Sequence, residues 1–306
     1  MKLNEEQQDF LSGKLDDLGN LVGTGSLLSS FFTEKVGWLP FVVGFVICMQ
    51  LNIRKGAMKK IVLSLLLLLP ISVLGQGFDV QPRHVIDTPT AWPLPQAGFA
   101  LSARAFGNGG VIASLSVGVS KQFMFGASYG GTHVLGEDSL LWNRAPGIMV
   151  RYNLIVESFA LPAISIGFES QGYGPFISDL SRYTNKSPGF YVVASKSYEF
   201  LEHLDFHGGV NYSLERDDGD RDVNLFTGAS IAFNQDFELL GEYDFALNDT
   251  KEKVSLGEGT GYLNAGVRLN VKKVVYIEVF LKNLLQNRRT AKYFNREFQI
   301  TFFQFI

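Results

Sequence analysis

Apolar and polar residues alternate along most of the chain beyond residue 97. Phe123, Phe125, Ala127 and Tyr129 alternate with Met124, Gly126, Ser128 and Gly130. The same period of two runs through 223–233, 237–245 and 275–282. A period of two puts the apolar residues on one face of an extended strand. About twelve such segments are predicted, at 97–106, 109–119, 122–131, 146–156, 160–171, 188–198, 204–214, 222–233, 236–246, 261–271, 273–283 and 294–306. Each is close to the ~10 residues of a tilted strand that crosses a membrane.

The connections alternate as well. Short ones fall near 120–121, 158–159, 199–203, 234–235 and 272, and long ones at 132–145, 172–187, 215–221, 247–260 and 284–293. Gly107-Asn108-Gly109 is tight where the alternation calls for a long loop. Short turns at one end and long loops at the other are the habit of outer-membrane barrels. The expected fold is all-β: an antiparallel transmembrane β-barrel of about 12 strands over 97–306, with periplasmic termini. A soluble sandwich or lipocalin-like barrel would turn its apolar face inward instead. The polar faces here carry Arg104, Arg151, Glu169, Glu238, Glu242, Asp244, Arg268 and Glu278. Both signs in one aligned set suit a wet lumen. The final segment alternates with aromatics (Phe303, Phe305), as a strand read by barrel-insertion machinery does, although Ile306 comes last.

The chain upstream of the strands has its own pattern. Met58-Lys59-Lys60 leads into an apolar run over 61–69, Pro70 breaks it, and Val73-Leu74-Gly75 offers small-residue cleavage geometry. That order defines a secretory signal peptide at 58–75. A signal peptide works at an N-terminus, so 1–57 is expected to be an upstream extension foreign to the mature protein. The competing reading makes its apolar segment 36–51 a genuine anchor. The single cysteine, Cys48, lies there, which leaves the exported part without a disulfide or thiolate site. Residues 76–96 hold Pro82, Pro89, Pro93 and Pro95 and cannot pair as a regular strand. They are either an extended segment running beneath or into the barrel, with Trp92 as an interfacial anchor, or a loose periplasmic lead-in.

Composition excludes several functions. A formal net charge of -3 offers no basic footprint for nucleic acid. Gly257-Glu258-Gly259-Thr260-Gly261 imitates a dinucleotide fingerprint but precedes a strand instead of opening a helix, so no cofactor is expected. None of His84, His133, His203 and His207 pairs with another at metal spacing on one face, and no metal is expected. The acidic run 215–222 reads as a solvated turn in preference to a calcium loop. His207 and Ser213 share a face but stand too far apart along a strand for nucleophile and base. No catalytic residue is expected, and the chain reads as non-enzymatic.

Two features remain as candidate sites. Arg104, Arg151 and Arg268 facing Glu238, Glu242 and Glu278 are expected to form a cross-lumen charge network, since side chains can fill a small barrel; the alternative is a selective pore. Glu169 and Gln171 should point into the lumen, with Tyr173, Phe176, Arg182 and Tyr183 in the loop that follows. That loop either contacts sugar rings or folds inward as a plug, with Arg182 meeting a lumen carboxylate.

Five stretches carry a family resemblance: Ile86-Asp87-Thr88-Pro89-Thr90-Ala91 followed by Gly98; Arg151-Tyr152; Pro162-Ala163; Gly167-Phe168-Glu169-Ser170-Gln171-Gly172-Tyr173-Gly174; and Lys186-Ser187-Pro188-Gly189-Phe190-Tyr191. In these the chain resembles the YjbH-like family of outer-membrane β-barrels associated with exopolysaccharide production. The resemblance runs from about residue 87 to the C-terminus and is to compact, single-barrel relatives. It implies an envelope component set in outer-membrane lipid of a Gram-negative-type bacterium, with polysaccharide or periplasmic envelope partners. The alternative function is a porin-like channel for small solutes.

Overall fold

Strands form where the alternation predicts them. The computed structural model describes residues 81–305, apart from 137, 251–255, 259–260 and 290–293. The expected upstream extension with its apolar segment, the signal peptide, residues 76–80 and Ile306 lie outside the described residues. The strands are β1 (Gly98–Phe106), β2 (Gly110–Gly118), β3 (Phe123–Thr132), β4 (Leu141–Trp142), β5 (Gly147–Ile155), β6 (Ala163–Glu169), β7 (Tyr173–Ile177) and β8 (Arg182–Asn185). They continue with β9 (Gly189–Tyr198), β10 (His203–Tyr212), β11 (Asn224–Ala232), β12 (Phe237–Asp244), β13 (Tyr262–Val271), β14 (Val275–Lys282) and β15 (Asn295–Phe305).

Twelve of these strands close a barrel. Sequential neighbours pair antiparallel, and β1 completes the ring by pairing with both β2 and β15. Short β4 pairs only with the end of β3, and β7 and β8 form a separate hairpin within the β6–β9 connection. The seam is in register from Gly98↔Phe305 to Ala105↔Phe298. Tight turns join β11 to β12 and β13 to β14; in the latter, three residues long, Lys272 and Lys273 both take positive φ, 53° and 56°, and Val274 N donates to the Val271 carbonyl at 3.1 Å.

Alternation sorts the side chains. Outward positions are apolar and exposed: Leu115, Phe125, Ile148, Phe190, Phe206 and Val279 among many. Inward positions are buried and largely polar, Ser102, Arg104, Arg151, Asp205, Glu242 and Arg268 among them. The hydrophobic core is not a layer between sheets. It lies inside the barrel as three clusters, and each contains residues from the 81–97 segment: Leu94 in the first, Ala91 and Trp92 in the second, Val85 and Ile86 in the third. The proline-rich lead-in therefore occupies the lumen.

Two strand glycines make room for it. A Cβ on Gly118 would come within 2.0 Å of the Pro95 carbonyl oxygen, and one on Gly228 within 2.9 Å of the Val85 side chain. Glycine within a strand marks such close approach. At Ala97, φ is 62° and the N–H bonds the Gly118 carbonyl at 2.9 Å, turning the lead-in into β1.

Candidate functional site: the occupied lumen

Residues 83–90 fold back on themselves inside the barrel. Thr90 N donates to Arg83 O and Val85 N to Thr88 O, both at 3.0 Å, so Ile86 and Asp87 form the tip. Its prolines remove donors, and the remaining backbone groups need partners that a strand ladder does not supply. The barrel wall supplies them.

Three wall arginines do so in the same way. Each divides its guanidinium between a wall carboxylate and a lead-in carbonyl. Arg268 donates to Glu278 Oε1 at 2.7 Å and Glu238 Oε2 at 2.8 Å, and also to the carbonyls of His84 and Val85 at 3.0 and 3.2 Å. Arg104 donates to Glu297 Oε2 at 2.7 Å and to the Ile86 carbonyl at 3.1 Å, with a third branch on Asp87 Oδ1 at 2.7 Å. Arg151 donates to Glu169 Oε1 at 3.1 Å and to the Trp92 carbonyl at 2.9 Å. The five-donor planar fork of arginine suits this double duty, which a lysine could not perform.

Donors of the lead-in find acceptors on the wall. Glu242 Oε2 accepts from the backbone N–H groups of Ile86, Asp87 and Thr88 at 3.1, 2.8 and 2.7 Å, and from the Thr88 hydroxyl at 2.8 Å. Its other oxygen accepts from Asn264 at 2.8 Å. Ala91 N donates to Ser195 Oγ at 2.7 Å, while Ser165 Oγ and Asn153 Nδ2 donate to the Ala91 carbonyl at 2.5 and 3.1 Å. His84 Nε2 lies 2.8 Å from Glu169 Oε2.

Contacts reach the lead-in from the long-loop end as well. Asp87 contacts Lys282 and accepts from Asn185 of β8 at 3.0 Å. The Tyr173 ring lies 4.3 Å from the Arg104 guanidinium carbon. Burial opposes ionisation of the Asp87 carboxyl, but Lys282 and Arg104 outweigh it and hold the carboxyl well below the usual carboxylate range. Two small interior spaces of about 60 and 40 Å³ flank the lead-in. Each has room for water.

The structure thus rearranges the expected charge network. Arg268 does join Glu238 and Glu278. Arg104 instead meets Glu297 and Asp87, and Arg151 meets Glu169, because these carboxylates are neighbours on the wall or on the lead-in. Glu242 pairs with no arginine among the described residues and serves backbone N–H groups. Asp244 accepts from Asn224 at 2.7 Å and from the Ala246 N–H at 2.9 Å. Glu297 and Lys282, absent from the expected set, share inward faces with Gln299 and Thr301 and with Glu278 and Phe280; the period of two would have found both.

The β7–β8 hairpin does turn inward, but Arg182 meets Asp218 and Asp249 of neighbouring long loops, at 2.7 Å each, and not a wall carboxylate. Asp218 also pairs with Lys186 at 2.7 Å. The 215–222 run is consequently no solvated turn: Asp218 and Asp220 are buried. Among the expected ligand contacts, Arg182 and Tyr183 are buried, Phe176 packs edge-on against Tyr183, and Gln171 accepts from Ser128 Oγ at 3.0 Å. Trp92 is no interfacial anchor. It is buried edge-on to His207 at 5.0 Å, its indole N–H donating to Glu157 at 3.2 Å. His207 bonds Ser195 at 2.8 Å and not Ser213, and the lead-in covers the pair.

No family model matches the chain, and no curated protein matches it. Among solved structures it is similar to the KdgM porin, with a TM-score of 0.43 at 11% identity over 67% of this chain and 98% of that one. It is likewise similar to the KdgM porin in complex with disordered oligogalacturonate, with a TM-score of 0.42 at 9% identity over the same shares.

Proposed function

We propose that this chain is a non-enzymatic integral barrel of the bacterial outer membrane whose resting lumen is closed by its own lead-in. The observation that carries this reading is the set of three arginines that bind wall carboxylate and lead-in carbonyl together. The exposed apolar outer face, with polar groups kept inside, supports a setting in lipid. Loop parity supports a periplasmic short-turn end and a long-loop end outside the cell. Short turns and the junction at Ala97 share one end, so the lead-in enters the lumen from the periplasmic side. An envelope role tied to exopolysaccharide is supported by the YjbH-like resemblance. Its motif at 86–91 is the inserted tip, and its motifs around Arg151 and Glu169 are wall partners of the same segment.

A second reading is a small-solute channel. The polar wall favours it: if the lead-in withdrew, the lumen would be lined by charges of both signs. The two readings separate in a planar bilayer. The full chain, shown to be folded, is expected to be silent, and loss of residues 81–94 is expected to give discrete openings. A crosslinked pair, Ala91→Cys with Ser195→Cys, guards against misfolding of the deletion. If the lead-in gates a channel, conditions that open the full chain should leave the oxidised pair silent and open it on reduction. Stable openings of the full chain that persist with the lead-in crosslinked would sink the closed-barrel reading.

A further inference from the structure

One lumen cluster stands beside Arg268, through Glu238. His203 opens β10, Asp205 stands two residues on, and Glu238 lies on β12, near the short-turn end. Register aligns them: Ala232 of β11 faces His203 on one side and Glu238 on the other, and Asp205 faces Ser230. Their three nearest ligand atoms lie within 4.8 Å of one another.

The carboxylates are poised unusually. Asp205 is fully buried, with a side-chain exposure of 0%, and its only ion-pair partner among the described residues is His203, at 3.4 Å. Asp205 Oδ2 accepts from Ser230 Oγ at 3.3 Å, while buried Oδ1 has no hydrogen-bond donor. In Glu238 it is the donorless oxygen that faces the imidazole. Its Oε2 accepts from Arg268, and its buried Oε1, 3.8 Å from His203 Nε2, has no donor either. Leaving a buried carboxylate oxygen without a donor is costly. A donorless Glu238 oxygen beside the imidazole, its other oxygen held by Arg268, and an Asp205 oxygen 3.4 Å from the same imidazole and steadied by Ser230, form the pattern of metal ligands oriented by an outer shell.

We propose that His203, Asp205 and Glu238 bind one divalent transition cation, of which zinc is the probe of choice. One imidazole nitrogen and two carboxylate oxygens suit a borderline cation. With bonds of about 2.1 Å, tetrahedral geometry separates ligand atoms by roughly 3.4 Å. The separations of 3.4 and 3.8 Å from His203 Nε2 need only a small contraction. Two carboxylates also supply the negative charge that a dication needs, since Arg268 is already shared with Glu278. The His203 side chain is 33% exposed, which gives the ion a way in from the short-turn end. A fourth position is left for water. The cation would tie β10 to β12 across β11, and through Glu238 would hold the Arg268 that grips the lead-in.

The test uses the full chain folded in detergent, stripped with EDTA and then equilibrated with zinc alone. Bound metal is counted by atomic emission after gel filtration, and heat-modifiable migration verifies folding. His203→Ala and Asp205→Asn are each expected to bind one zinc fewer than the parent while still folding. His133→Ala, on an exposed loop, is expected to bind as the parent does. Zinc is also expected to raise the thermal midpoint of the parent and not of His203→Ala. Equal zinc content in parent, His203→Ala and Asp205→Asn, or no zinc in the folded parent, would overturn the proposal.

Discussion

Thr88 gives both its backbone N–H and its hydroxyl to one oxygen of Glu242, at 2.7 and 2.8 Å. The same oxygen takes two more N–H groups from the tip of the lead-in. Bonds to an ionised acceptor are the strong ones. Glu242→Gln keeps the shape but not the charge, and either orientation of its amide turns an N–H₂ towards a donor. A loss of about 1.5–3 kcal/mol in holding the tip is expected. Amide exchange at Ile86, Asp87 and Thr88 should accelerate roughly tenfold to a hundredfold, with exchange in β14 unchanged. Unaltered protection at these three amides would refute the role given to Glu242.

Acid should loosen the lead-in through Asp87. Its carboxyl is depressed in the folded state, so the stability it contributes is complete above its unfolded value, about 3.9. That contribution is lost as pH falls through this value towards the folded one. Thermal stability should therefore be level in this respect from neutrality down to about pH 5 and decline below about pH 4. Asp87→Asn should lower stability at pH 7 and flatten part of the acid decline. An acid limb identical in parent and Asp87→Asn would show that other carboxylates govern it.

Arg268 is the most heavily used cation of the wall. Arg268→Met would leave Glu238 and Glu278 buried without their shared cation and would remove the donor to two lead-in carbonyls. Removal of one partner from a buried pair costs about 3–5 kcal/mol. The urea midpoint of the folded barrel in lipid should drop accordingly. A change below about 1 kcal/mol would place the pair in the category of wet surface contacts.

The outer face can be tested independently of the lumen. Val279 points outward from the middle of β14 and is 48% exposed. If that face meets lipid, Val279→Arg should destabilise the barrel by about 2–4 kcal/mol, the cost at a bilayer midplane. Lys196 is the instructive contrast. It lies on the outward face of β9, near the short-turn end, and its Nζ bends to the Ser158 carbonyl at 2.5 Å. Lys196→Leu should change stability little, since charge near an interface is tolerated. Tolerance of arginine at 279 in a bilayer would argue for a soluble barrel.

The strands were legible in the sequence because outward-facing and lumen-facing positions differ in chemistry at every step. That contrast placed β1 to β3, β5, β6 and β9 to β15 within a few residues. It was blind to what fills the lumen. A polar wall residue such as Glu242 reads the same whether it faces water, an arginine or a peptide backbone. The proline-rich lead-in carried no periodicity, so both of its readings stayed open, and Trp92 looked like an anchor because indole suits an interface as well as a core. The glycines were a usable clue. Gly118 ends β2 and Gly228 lies within β11, and each faces the inserted segment. Arg182 could not be assigned from sequence, since its partners come from two other loops, 36 and 67 residues away.

The position of the lead-in also bears on how the molecule is assembled. It joins β1 directly, yet it is gripped by β5, β9, β12 and β13, and the seam between β1 and β15 is crossed by Arg104 and Glu297. Threading the hairpin into a finished ring would drag Arg83, His84 and Asp87 past a wall already satisfied by other bonds. Curling the sheet around a peptide already in place avoids that detour. Residues 83–94 then act as a mandrel: each arriving strand finds a carbonyl or N–H waiting for it, and the final clasp closes over an occupied centre.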